Sequence, residues 1–105
     1  MLTFVETRLF SRLADEYLGD DGLLALQVHM LAQPDIGAVI PGSGGVRKLR
    51  WAMPGRGKRS GMRVVYFLRL QREEIWLLTL YPKNVSDSIP PGVLRKIREA
   101  IDAEA

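Results

Sequence analysis

Nine cations stand between Gly44 and Arg72 with no carboxylate among them: Arg47, Lys48, Arg50, Arg56, Lys58, Arg59, Arg63, Arg69 and Arg72. Guanidinium and ammonium groups at this density suit one task above others, the binding and polarising of phosphate. Their distribution matters more than the formal charge of +3, because residues 1–43 hold two basic and six acidic residues and residues 73–105 hold four and six. Both flanks are net negative, so the folded chain is expected to carry one positive face, which attracts polyanions and speeds their encounter with the protein.

The same residue types also supply a reaction. RNA is cut without a metal when its own 2′-hydroxyl attacks the neighbouring phosphate. That step needs a proton acceptor, cations around the developing phosphorane and a proton donor at the leaving oxygen. Lys58 and Arg59 lie in a glycine-rich basic loop, PGRGKRSG, where clustered cations favour the neutral form of a lysine and make Lys58 the candidate base. Tyr81 and Lys83 close a later apolar run, near the start of Arg63's strand if the two pair as a hairpin, and either is a candidate to donate or relay a proton. Arg47, Lys48, Arg50 and Arg56 are expected to hold RNA by its phosphates, which fixes position without reading sequence. Trp51 has two readings, a stacking platform for a base or a core residue.

Other chemistries are poorly served. There is no cysteine, hence no disulfide and no thiolate site, which suits a reducing cytoplasm. His29 is the single histidine and falls on a helix away from the basic loop, so neither a metal site nor a metal cofactor is expected. Gly57-Lys58 runs into Arg59 without the upstream glycine of a phosphate loop, and the glycines at 42, 44 and 45 do not spell a dinucleotide fingerprint. The first ten residues mix Glu6 and Arg8 with apolar ones, and no membrane segment is expected.

The elements that must position these groups follow from periodicity. Leu2 to Val5 predicts a short strand, and Glu6-Thr7 a helix start. Leu9, Phe10, Leu13 and Tyr17 recur at helical spacing. Gly19 closes this helix, Asp20 or Asp21 caps a second one, and Leu23, Leu24, Leu26, Val28, Met30 and Leu31 make that second helix apolar up to Pro34. Residues 34–45 read as a loop. Val46 to Met53 then alternates, with Lys48 and Arg50 on one face; Met62 to Leu70 and Ile75 to Tyr81 form a hairpin in which Arg63 and Arg69 point the same way. Pro90 and Pro91 open a last helix with Val93, Leu94, Ile97 and Ile101 on one side. At 105 residues and 47% hydrophobic composition this predicts one soluble α+β domain: two N-terminal helices on a small, mainly antiparallel sheet, and a closing C-terminal helix.

That order, with VRKLRWAMPGRGKRSGMRVVYFL over Val46–Leu68 and LLTLYPKN over Leu77–Asn84, resembles the RelE/ParE toxin superfamily, most closely its HigB-like branch. The likeness spans nearly the whole chain, and its most specific words are Lys48–Arg50, Gly61–Tyr66 and Tyr81–Asn84. The resemblance implies a toxin of a type II toxin–antitoxin system: a ribosome-dependent mRNA endonuclease, or mRNA interferase, that needs no metal. Its implied partners are a co-expressed antitoxin of DNA-binding type and the translating ribosome. It also matches Arg63 to the family's strand arginine, whose guanidinium would stabilise the transition state through paired bonds to phosphate oxygens. The chain departs from the RelE pattern in lacking a tyrosine in its final helix, Tyr81 being the last. Two other readings are a gyrase-inhibiting toxin of the ParE branch, against which the dense basic loop argues, and an RNA-binding module without catalysis.

Overall fold

The computed structural model describes residues 1–52, 61–85 and 89–104. Its order is β1 (Thr3–Glu6), α1 (Arg8–Tyr17), α2 (Gly19–Ala32), β2 (Ala38–Val39), β3 (Arg47–Trp51), β4 (Met62–Arg69), a 3-10 turn (Leu70–Arg72), β5 (Glu74–Pro82) and α3 (Pro91–Ala103). This is an α+β fold with a mixed sheet of five strands in the order β1-β5-β4-β3-β2, antiparallel except where β1 lies parallel to β5. The segment expected to be only a loop, residues 34–45, contains β2. This two-residue edge pairs Ala38 with Lys48 and Val39 with Arg47, too short a ladder to leave a period in sequence.

Local chemistry sets the helix boundaries. The hydroxyl of Thr7 accepts from the Phe10 amide at 3.0 Å and donates to the Leu78 carbonyl at 2.7 Å, capping α1 and tying it to β5. Gly19, at a φ of +68°, makes the corner between α1 and α2. Asp20 and Asp21 occupy the first turn of α2 and neither caps it; there they still face the positive end of the helix dipole.

The sheet is apolar on both faces, as the period of two in β4 requires. Met62, Val64 and Tyr66 pack with Phe10, Ala14, Leu26 and Met30 of the two N-terminal helices. Val65 and Phe67 pack with Val46, Leu78 and Leu94 beneath α3. Arg98 pins α3 by lying over the Phe67 ring, 5.6 Å from its centroid, and donating to the Gly44 carbonyl. Helix α2 is apolar all round, yet the sheet covers one side only: Leu26 and Met30 are buried, whereas Leu24 and Val28 remain 60% exposed.

One irregularity decides which residues face each other at the Arg63 end of the hairpin. Between Val65 and Tyr66 the register of β4 against β5 slips: Tyr66 pairs with Leu77, but Val65 pairs with Thr79, leaving Leu78 as an extra residue on β5. A slip of one residue exchanges the faces of everything beyond it. An unbroken ladder continuing from Tyr66 and Leu77 would set Arg63 against Leu80; the bulge sets it against Tyr81.

Candidate nucleic-acid interface

Strand pairing assembles the site. Arg50 of β3 lies directly across from Arg63 of β4, and Arg63 directly across from Tyr81 of β5. Residues opposite each other share a face, so these three side chains form one row on the α3 side of the sheet, with Cβ atoms about 5 Å apart from strand to strand. The next row on this face is Lys48, Val65 and Thr79. Lys83 follows the end of β5, its amide bonded to the Gly61 carbonyl at 3.0 Å.

The row ends in an open concavity of about 290 Å³ that Arg50, Arg63 and Lys83 line, with Trp51 and Gly61 at its walls. Arg50 and Lys83 are exposed and Arg63 is half-buried. Among the described residues the ion pairs are Met1–Glu73, Arg69–Glu74, Arg69–Asp102 and Arg98–Asp102, and none involves Lys48, Arg50 or Arg63. The one hydrogen bond of the Arg63 guanidinium there is a long one, 3.4 Å to the Met62 carbonyl. Two like charges directly opposite across a sheet destabilise it by a few tenths of a kcal/mol up to about 1. An anion between them reverses the sign. Two guanidinium groups and one ammonium therefore line one open concavity, and Tyr81 lies across from Arg63 in the strand ladder.

Of the residues singled out from sequence, Arg50, Arg63, Tyr81, Lys83 and Lys48 come together. Arg47 does not join them. It points to the other face, half-buried, and donates to the carbonyls of Asp35 at 3.0 Å and Gly37 at 2.8 Å. That role leaves no mark in the sequence, because it depends on where the 34–37 segment meets β3. Arg56, Lys58 and Arg59 lie outside the described residues. Trp51 is buried in the helical core, where its ring meets that of His29 at a centroid distance of 5.0 Å, which is its core reading.

Tyr66, the buried tyrosine of the core, has a structural role. Tyr66 is fully buried; its hydroxyl donates to the Pro34 carbonyl at 2.8 Å and accepts from the Gly37 amide at 2.9 Å. Burial raises its pKa above the ordinary tyrosine value, outweighing the Gly37 bond and the nearby Arg47 charge. A Cβ on Gly37 would fall 2.8 Å from the Tyr66 ring, so glycine is required there for contact and not for backbone freedom. Tyr66 is a structural lock on the loop, whereas Tyr81 is half-buried on the other face and lies across from Arg63.

The described residues contain no helix long and apolar enough to cross a membrane. No known protein-family model matches the chain.

Proposed function

We propose that this protein is a metal-independent endoribonuclease that cuts translated messenger RNA, and that it serves as the toxin of a type II toxin–antitoxin pair. The observation that carries the reading is the row Arg50–Arg63–Tyr81, acid-free among the described residues and opening on the concavity shared with Lys83. The resemblance of the basic strand–loop–strand to RelE/ParE toxins of the HigB-like branch supports the ribosomal substrate and the antitoxin partner.

In this mechanism Arg63 and Arg50 hold the non-bridging oxygens of one phosphate and stabilise the charge that grows on them. The ribose 2′-oxygen forms a bond to phosphorus and loses its proton to a base, for which Lys58 is the candidate. The bond from phosphorus to the 5′-oxygen breaks, and Tyr81, or Lys83 beside it, delivers a proton to that oxygen. The products are a 2′,3′-cyclic phosphate and a 5′-hydroxyl end, so atoms and charge balance with no oxidant or cofactor.

The test is to map messenger 5′ ends in a translation extract with the unmodified protein and with Arg63→Ala, and to run a gyrase supercoiling assay beside it. Codon-spaced cuts that disappear in the variant, with unaltered gyrase activity, are the expected result. Inhibition of gyrase without cuts would favour the ParE-type alternative, and RNA binding without cuts a module lacking catalysis.

A further inference from the structure

A second hollow lies on the same face of the sheet, one row further in. It measures about 120 Å³, is enclosed by Ile40, Val65, Pro91 and Leu94, and has Lys48 and Tyr81 among its lining residues. Val65 and Leu94 are buried at its floor, and Lys48 is exposed. Tyr81, which lines this hollow, is the cross-strand partner of Arg63, so the hollow adjoins the Arg50–Arg63 row. Along β3, Lys48 and Arg50 are two residues apart, a separation of about 6.6 Å, comparable to the reach from a phosphate to the base of the same nucleotide.

Resting on the reading that Arg50 and Arg63 grip an RNA phosphate, we infer that this hollow is a nucleobase slot, which takes the base of the nucleotide whose phosphate lies on that row. Its chemistry is that of a site for a flat ring on an anionic chain. Apolar side chains cover the faces, a tyrosine supplies an aromatic surface, and an ammonium group stands on the side toward the phosphates. Among the described residues that line it, the polar side-chain groups are the Lys48 ammonium and the Tyr81 hydroxyl. Stacking and apolar contact are tolerant of base identity, so the slot accepts any of the four bases and adds affinity without reading sequence. It also fixes the substrate as single-stranded, because a base within a duplex cannot leave its stack to enter a narrow hollow at no cost.

The experiment compares a nucleoside 5′-monophosphate with ribose 5-phosphate, which carries a hydroxyl in place of the base, by titration into isotope-labelled protein. The monophosphate is expected to bind about tenfold more tightly, and to shift the amide signals of Ile40, Val65 and Leu94, which ribose 5-phosphate leaves in place. Ile40→Trp, at a half-exposed position on the rim, should fill the slot and bring the two affinities together while the ribose 5-phosphate affinity stays as it was. Should that variant misfold, the amide shifts of the unmodified protein decide alone. Equal affinities with no shift at Ile40, Val65 and Leu94 would overturn the slot and leave the phosphate reading standing. Failure of both ligands to bind would overturn the phosphate reading and the slot with it.

Discussion

Strand β4 carries an arginine at each end of one face, and the two ends have opposite fates. Arg69 sits directly across from Glu74; it pairs with that carboxylate and with Asp102 of α3, both at 3.6 Å, and donates to the Glu104 carbonyl at 3.0 Å. Only 14% of its side chain is exposed. Arg63 sits directly across from Arg50 and Tyr81, and no carboxylate among the described residues pairs with it. A hollow of about 430 Å³ lies at the Arg69 end, larger than the one at Arg63, but Asp102 helps to line it and its arginines already have partners. The larger cavity is therefore not the one that the proposed site uses. A fold that supplies an acid turns an arginine into a fastener; a fold that supplies another cation leaves it for a ligand.

This contrast can be broken at either end. The largest effect belongs to Arg63→Ala, which should lower cleavage by about 10²–10³-fold while Arg69→Ala changes it by less than about twofold. Stability should respond the other way. Arg69→Ala removes two ion pairs and the bond to the Glu104 carbonyl and is expected to cost about 1 kcal/mol in urea unfolding, whereas Arg63→Ala stays within about 0.5 kcal/mol of the parent. Tyr66→Phe belongs with the fasteners. It strands the Gly37 amide and the Pro34 carbonyl at a cost of about 1–3 kcal/mol and leaves the cationic row intact.

Tyr66 also sets a pH dependence. Its folded pKa is raised, so the folded state holds the phenol proton more tightly than the unfolded chain does. The corresponding stability is complete below the ordinary tyrosine pKa of about 10 and is lost as pH climbs through the higher folded value. Unfolding of the parent should ease across that alkaline window, and Tyr66→Phe should remove this part of the slope. The smallest effect converts one end into the other. Arg50→Glu gives Arg63 the carboxylate that Glu74 gives Arg69, and should raise stability by about 0.5–1 kcal/mol while weakening RNA binding more than Arg50→Ala does.

Most of the fold was legible because it obeys short periods. Alternation in β3 and β4 put Lys48, Arg50 and Arg63 on their proper sides, and Thr7, Gly19 and Pro91 marked helix ends by local chemistry. What escaped the sequence depends on partners distant in the chain. The bulge at Leu78 arises from pairing between strands, so that Tyr81 comes to oppose Arg63 through a register no single strand encodes. Capture of Arg47 by the Asp35 and Gly37 carbonyls, and of Arg69 by Asp102, needs the tertiary fold, and neither is marked by the residue types around them. The exposure of Leu24 and Val28 was likewise hidden, since a helix apolar on every side does not tell which side the sheet covers.

If the two ends of β4 differ as their described partners imply, RNA is gripped at the Arg63 end and ignored at the Arg69 end. Titrating a short single-stranded RNA into protein labelled to reveal arginine side-chain Nε–H signals reads both ends in one sample. Arg50 and Arg63 should shift and lose their shifts as salt is raised, while Arg69 and Arg98 hold still. Equal movement at Arg69, or none at Arg63, would refute the assignment of the Arg63 end to RNA.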